Sequence, residues 1–154
     1  QLHKRVTNSW AIDVDPSWSP IGDQLVFVSN RQGNPHLFVA DLLDGQVRRL
    51  TYNGKYNATP AWSPDGKRIV FSRLEGGAFN LFSIGIDGKD ERQLTFGAGN
   101  KEHPRWSPDG RFIVYSDDIS GKKAIYVMRA DGSGQRRIST VDADCSHPAW
   151  SNSW

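Results

Sequence analysis

Apolar residues fall in short runs along this chain, each too short for a helix and each closed by Gly, Pro or Asp. Residues 58–95 show the pattern in full. Four runs, 58–63, 67–73, 80–86 and 91–95, are rich in β-branched and aromatic side chains. Length and composition predict four antiparallel strands, a to d. Ser63-Pro64-Asp65-Gly66 turns a onto b. Proline sets φ at the first central position, and glycine accepts the left-handed conformation that follows. Gly76-Gly77 links b to c, and Asp87-Gly88 links c to d; both are hairpin signals.

The same pattern recurs at a fixed step. Trp18, Trp62, Trp106 and Trp150 are 44 residues apart (62−18, 106−62, 150−106). At that step Leu25, Ile69 and Ile113 align, as do Phe27, Phe71 and Tyr115, then Phe38, Phe82 and Tyr126. Leu50, Leu94 and Ile138 also align, each followed by a hydroxyl residue, Thr51, Thr95 or Ser139. Asp44-Gly45 is one residue out of frame, so that turn is expected to differ locally. Four-stranded units of about 40–45 residues are the mark of β-propeller blades. The fold class is therefore all-β, with three blades over 14–51, 58–95 and 102–139. Each tryptophan is expected on the innermost strand, filling the wedge between blades.

Residues 1–7 read as the outer strand of an incomplete blade, and 146–151 as the inner strand of another. Three blades do not close a ring, and an open arc exposes strand edges and apolar faces. The chain is thus expected to form a homo-oligomeric ring, six blades from two copies being the simplest, or to be part of a longer propeller.

Composition narrows the function classes. Nineteen Lys and Arg against 17 Asp and Glu leave a net charge of +2, with the basic residues scattered. That balance argues against nucleic acid as a partner. No apolar run approaches the ~18 residues of a membrane-spanning helix. The single cysteine, Cys145, excludes an internal disulfide. Basic residues recur on strand d, as at Arg48-Arg49, Arg92 and Arg136-Arg137. Charge there protects an exposed edge from pairing with other chains.

The sequence Leu-Thr, a spacer, Pro-x-Trp-Ser-Pro-Asp-Gly-x-x-Ile-Val-Phe-Ser, then Leu-Phe or Ile-Tyr-Val, then Asp-Gly resembles the TolB-type propeller repeat. The resemblance runs from Lys4 to Trp150. It implies a periplasmic, protein-binding scaffold of the Tol-Pal envelope system, with a peptidoglycan-associated lipoprotein as one partner. Similar repeats occur in propellers attached to prolyl-oligopeptidase-like and tricorn-like peptidases and in oligogalacturonate lyases. The alternative is accordingly a substrate-binding propeller of such an enzyme. The ending Pro148-Ala149-Trp150-Ser151 is similar to the end of TolB-type propellers, which places the missing blades upstream.

No Gly-x-Ser-x-Gly elbow, phosphate loop, dinucleotide fingerprint or His-Glu-x-x-His occurs. The reading is therefore no enzyme, no catalytic residue and no cofactor. The d-to-a crossovers differ in sequence from unit to unit while the strands repeat, and loops on a rigid scaffold are where binding residues gather. Candidate partner-binding residues are Asp13, Asp15, Tyr56, Asn57, Thr59, Asn100, Lys101, Glu102, His103, Asp144 and His147. Glu102, His103, Asp144 and His147 are of the right type for zinc or manganese. Their spacing shows no ligand motif, so no metal is assigned.

Overall fold

The computed structural model describes residues 6–139 and 145–151. Its strands are β1 (Asp13–Trp18), β2 (Gln24–Ser29), β3 (His36–Asp41), β4 (Val47–Arg49), β5 (Asn57–Trp62) and β6 (Arg68–Glu75). They continue as β7 (Ala78–Gly85), β8 (Arg92–Gln93), β9 (Lys101–Trp106), β10 (Phe112–Asp117), β11 (Ala124–Arg129) and β12 (Arg136–Arg137). They form three four-stranded antiparallel meanders, β1–β4, β5–β8 and β9–β12. β1, β5 and β9 lie against one another and make the inner edge of an arc of blades.

The period-two alternation of each strand assigns one face to each neighbouring blade. Val26, Val28, Leu37, Val39 and Leu50 of the first blade meet Trp62, Ile69, Phe71, Phe82 and Ile84 of the second in one core. Ala61, Val70, Leu81 and Leu94 of the second meet Ile113, Tyr115 and Met128 of the third in another. The tryptophans seal these seams. Trp62 Nε1 donates to Ser17 O at 2.9 Å, Trp106 Nε1 to Ala61 O at 3.2 Å, and Trp150 Nε1 to Arg105 O at 3.2 Å. Trp62 is 7% exposed, whereas Trp18, with no preceding blade among the described residues, is 64% exposed.

The turn and hydroxyl columns have direct structural causes. Ser63 Oγ donates to Asp65 Oδ1 at 2.6 Å and accepts from Arg68 N at 3.0 Å, while Gly66 N donates to Ser63 O at 2.9 Å with φ at 69°. Ser107, Asp109 and Gly110 repeat the arrangement. The hydroxyls of Thr51, Thr95 and Ser139 accept from Leu37, Leu81 and Ile125 N at 2.8–3.0 Å, anchoring strand d to strand c. The c–d turn of the first blade differs: Gly45 N reaches back four residues to Asp41 O, whereas Gly88 N and Gly132 N reach back three.

Of the expected outer strand 1–7, residues 1–5 lie outside the described residues. Val6 packs on the cluster of Phe27, Phe38 and Ala40. Residues 145–151 take the place of an inner strand beside β9 without a hydrogen-bonded ladder. An inner strand pairs only with strand b of its own blade, and the described residues provide none.

Candidate functional site

Each inner strand carries a proline, at Pro16, Pro60 and Pro104. Proline has no N–H to give, so the ladder breaks there. The register slips between Val14 and Ser17 and between Ala58 and Ala61, and in the third blade opposite Val114–Ser116. The residue before each proline enters the left-handed region: φ is 52° at Asp15, 48° at Thr59, 54° at His103 and 58° at His147. For residues other than glycine this conformation costs about 1–2 kcal/mol, and it is rarest for a β-branched residue such as Thr59. Bulges of this kind re-aim side chains beside functional sites.

These four residues form one row from blade to blade along the inner edge. Thr59 N donates to Asp15 Oδ2 at 3.2 Å, and Thr59 Oγ1 lies 2.8 Å from Ser72 Oγ. The His103 and His147 rings stack at 4.0 Å between centroids, tilted by 42°. His103 Nδ1 is buried without a hydrogen-bond partner. Burial lowers the His103 pKa, and the neighbouring His147 lowers it further, against the pull of Glu102. Its buried position thus favours the neutral form of the His103 ring. Glu102 stands beside the row and meets Lys123 Nζ at 3.5 Å.

Asp13, Asn57, Asn100 and Lys101 instead bond within the fold. Asp13, Asn57 and Lys101 occupy one column at the start of the inner strands. Asp13 accepts from Arg31 Nη2 at 3.0 Å and from Thr7 Oγ1 at 2.6 Å. Lys101 is buried, with Nζ 2.6 Å from Ala98 O and 3.4 Å from Asp117. Asn100 ties the third blade to the second, accepting from Phe79 N at 3.1 Å and donating to Asp118 Oδ2 at 2.9 Å. Tyr56 packs edge-on against Phe79, 5.6 Å between centroids, and stays exposed on its other side. Asp144 lies outside the described residues. Among the described residues no group of three or more His, Cys, Asp and Glu stands ready to hold a metal.

Asn57 belongs to a buried network. Arg73 Nε donates to Asn57 Oδ1 at 2.8 Å, and the Arg73 guanidinium holds Glu91 through two bonds of 2.8 and 2.7 Å. The guanidinium also lies 4.4 Å from the centroid of the Phe82 ring. With Oδ1 committed to Arg73, the Asn57 amide nitrogen faces His36 Nδ1 at 3.0 Å. Nδ1 is then an acceptor and His36 is neutral. Burial, then Arg49 and Arg73, lower the His36 pKa to about 4.

One residue of the inner edge was not singled out from sequence. Arg105 stands in the column of Ser17, Ala61 and Ala149, where the repeat otherwise places a small side chain. Its charged neighbour is Asp15, two blades away. Its departure from the column was the available signal. Below the row, Trp18, Trp62, Trp106 and Trp150 line a cavity of about 310 Å³, with Arg105 the charged residue among its walls.

A family model described as the TolB beta propeller domain matches residues 1–154. A TolB homolog of Chlorobium luteolum is 51% identical over 47 residues, covering 30% of this chain and 11% of that protein. The crystal structure of TolB from Acinetobacter baumannii superposes with a TM-score of 0.77 at 24% identity, covering 92% of this chain and 36% of that one. A puromycin-hydrolyzing peptidase of Mycobacterium tuberculosis superposes with a TM-score of 0.72 at 18% identity, covering 86% of this chain and 22% of that one. The chain thus spans a minor part of the length of each. Both structural likenesses fall below a quarter identity and carry the fold alone.

Proposed function

The chain belongs to the TolB beta propeller domain family, and from that premise we propose that it is a protein-binding scaffold that performs no chemistry of its own. The carrying observation is the row before the prolines. Its backbone is the same in every blade, yet its side chains are Asp15, Thr59, His103 and His147. A repeated backbone that presents different side chains is suited to reading a sequence of contacts along a bound segment. The reading surface is the row together with Glu102 and the exposed face of Tyr56. Asn57, Lys101, Asn100 and Asp13 support it from within.

The partner is a protein segment, and the setting is the periplasm and the Tol-Pal envelope system. A peptidoglycan-associated lipoprotein is the first partner to test. The open faces of the first and third blades belong against further blades of the same kind, in a second copy or a longer chain. The exposure of Trp18, set against the burial of Trp62, supports this. A second reading, a propeller that binds substrate for a peptidase, draws support from the likeness to the puromycin-hydrolyzing enzyme.

Calorimetric titration with the soluble domain of a peptidoglycan-associated lipoprotein tests the assignment. The variant carrying Glu102→Ala, His103→Ala and His147→Ala is expected to bind at least tenfold more weakly, with its unfolding midpoint maintained. Unchanged affinity would remove the inner row from the binding surface.

A further inference from the structure

The residue between the proline and the tryptophan of each repeat is small in three cases, Ser17, Ala61 and Ala149, and is Arg105 in the other. At each seam this residue gives a backbone oxygen to the next blade's indole, from Ser17, Ala61 and Arg105 alike. A small side chain therefore meets the needs of the fold, and the guanidinium is surplus to them.

That guanidinium is the one formal charge on the walls of the groove of about 310 Å³ lined by the four tryptophans. Nη1–H donates to Pro104 O at 2.8 Å, which leaves Nε and Nη2 without a partner among the described residues. No carboxylate among the described residues lies within ion-pair distance of Arg105. Asp15, whose Oδ2 accepts from Thr59 N at 3.2 Å, acts on it from farther off.

The side chain is open at the groove mouth, yet the surrounding protein displaces enough water to lower its pKa, against the pull of Asp15. A cation in that position gains from an incoming anion. Hydrogen bonds between ionised groups are about twice as strong as neutral ones, and the planar guanidinium fork matches a carboxylate through two parallel bonds. The indole walls offer apolar surface to the methylene stem of an acidic side chain.

We propose that Arg105 is the carboxylate-binding residue of this groove, pairing with a glutamate or aspartate side chain of a bound protein segment as it passes beneath the inner row. The source of the carboxylate rests on the protein-binding reading above. The anion site itself does not, because its walls are complete within the described residues.

The test uses the whole chain with acetyl-Gly-Glu-Gly-amide, its uncharged isostere acetyl-Gly-Gln-Gly-amide and inorganic phosphate, followed by guanidinium and indole NMR shifts. The glutamate peptide is expected to give saturable shifts at Arg105 Nε–H and the Trp106 indole N–H, weakening as salt is raised. The glutamine peptide is expected to bind at least tenfold more weakly. Arg105→Ala, which restores the small residue of the other repeats, should abolish the saturable indole shifts with its unfolding midpoint maintained; Arg105→Gln is the second variant should the first fail to fold. Absence of saturable shifts, equal binding of the two peptides, undiminished binding by a folded variant, or tighter binding of phosphate than of the glutamate peptide would overturn the proposal. No partner protein takes part, so failure here is distinct from failure of the lipoprotein titration that tests the inner row.

Discussion

Acid should weaken this fold through His36, and the size of the effect follows from its surroundings. The folded-state pKa is about 4 against an ordinary value of 6.5. Between those values the unfolded chain binds a proton that the folded chain refuses, so the His36 contribution to stability is lost as the pH falls from about 6.5 and is fully lost below about 4. Near pH 5.5 the difference is close to one proton, giving a slope of about 1 kcal/mol per pH unit. Integrated from pH 7 to pH 4.5, the loss is about 2 kcal/mol, a large share of a typical domain's stability. The cause is specific. A proton on Nδ1 would face the amide of Asn57, whose orientation Arg73 fixes. Urea unfolding at a series of pH values, with His36→Leu alongside, measures it. The variant starts less stable because Thr51 and Asn57 lose a partner, so the informative quantity is its slope. We expect a markedly flatter dependence between pH 6.5 and 4.5, with a remainder from His103, whose pKa is lowered in the same direction, and toward pH 4.5 from carboxylates held low by their partners, Glu91 among them. Equal slopes in both proteins would refute a neutral, acceptor His36. So would an NMR titration placing its pKa near 6.5.

Three further substitutions probe other parts of the structure by denaturant unfolding. Trp62→Ala should cost about 3–5 kcal/mol, since it empties a filled seam, whereas Trp18→Ala should cost under about 1 kcal/mol in the isolated chain, where that wedge is exposed. Arg73→Ala should cost about 3–5 kcal/mol because it strands the Glu91 carboxylate and the Asn57 oxygen; a loss under about 1 kcal/mol would show the network to be dispensable. Thr59→Gly should cost about 1 kcal/mol, because release of left-handed strain offsets the entropy of glycine and leaves the lost Ser72 hydrogen bond as the net effect. Ala58→Gly, its neighbour outside the left-handed region, should lose about 1 kcal/mol.

Most of the blade architecture is legible in the sequence, because packing repeats with the chain. A tryptophan must reach the preceding blade's carbonyl at every seam, and the Ser-Pro-Asp-Gly turn must recur wherever a returns as b. The inner row was only half legible. The variable residues before the prolines stand out, but their left-handed φ does not, since a residue before proline ordinarily prefers extended backbone. The missing proline N–H and the resulting bulge override that preference. Asn57 and Lys101 read as loop residues because each inner strand begins one position earlier than its apolar run. Their burial depends on cross-strand partners, Arg73 and Asp117, that lie 16 residues away (73−57, 117−101).

Site-specific photo-crosslinking is the most direct test of recognition by the inner row. A photoreactive residue placed at Thr59 or His103 is compared with one at Asp44 or Lys89, in the c–d turns at the opposite end of the blades. With a peptidoglycan-associated lipoprotein present, we expect adducts from positions 59 and 103 and none from positions 44 and 89. Adducts confined to 44 and 89 would contradict the assignment of the row as the binding surface.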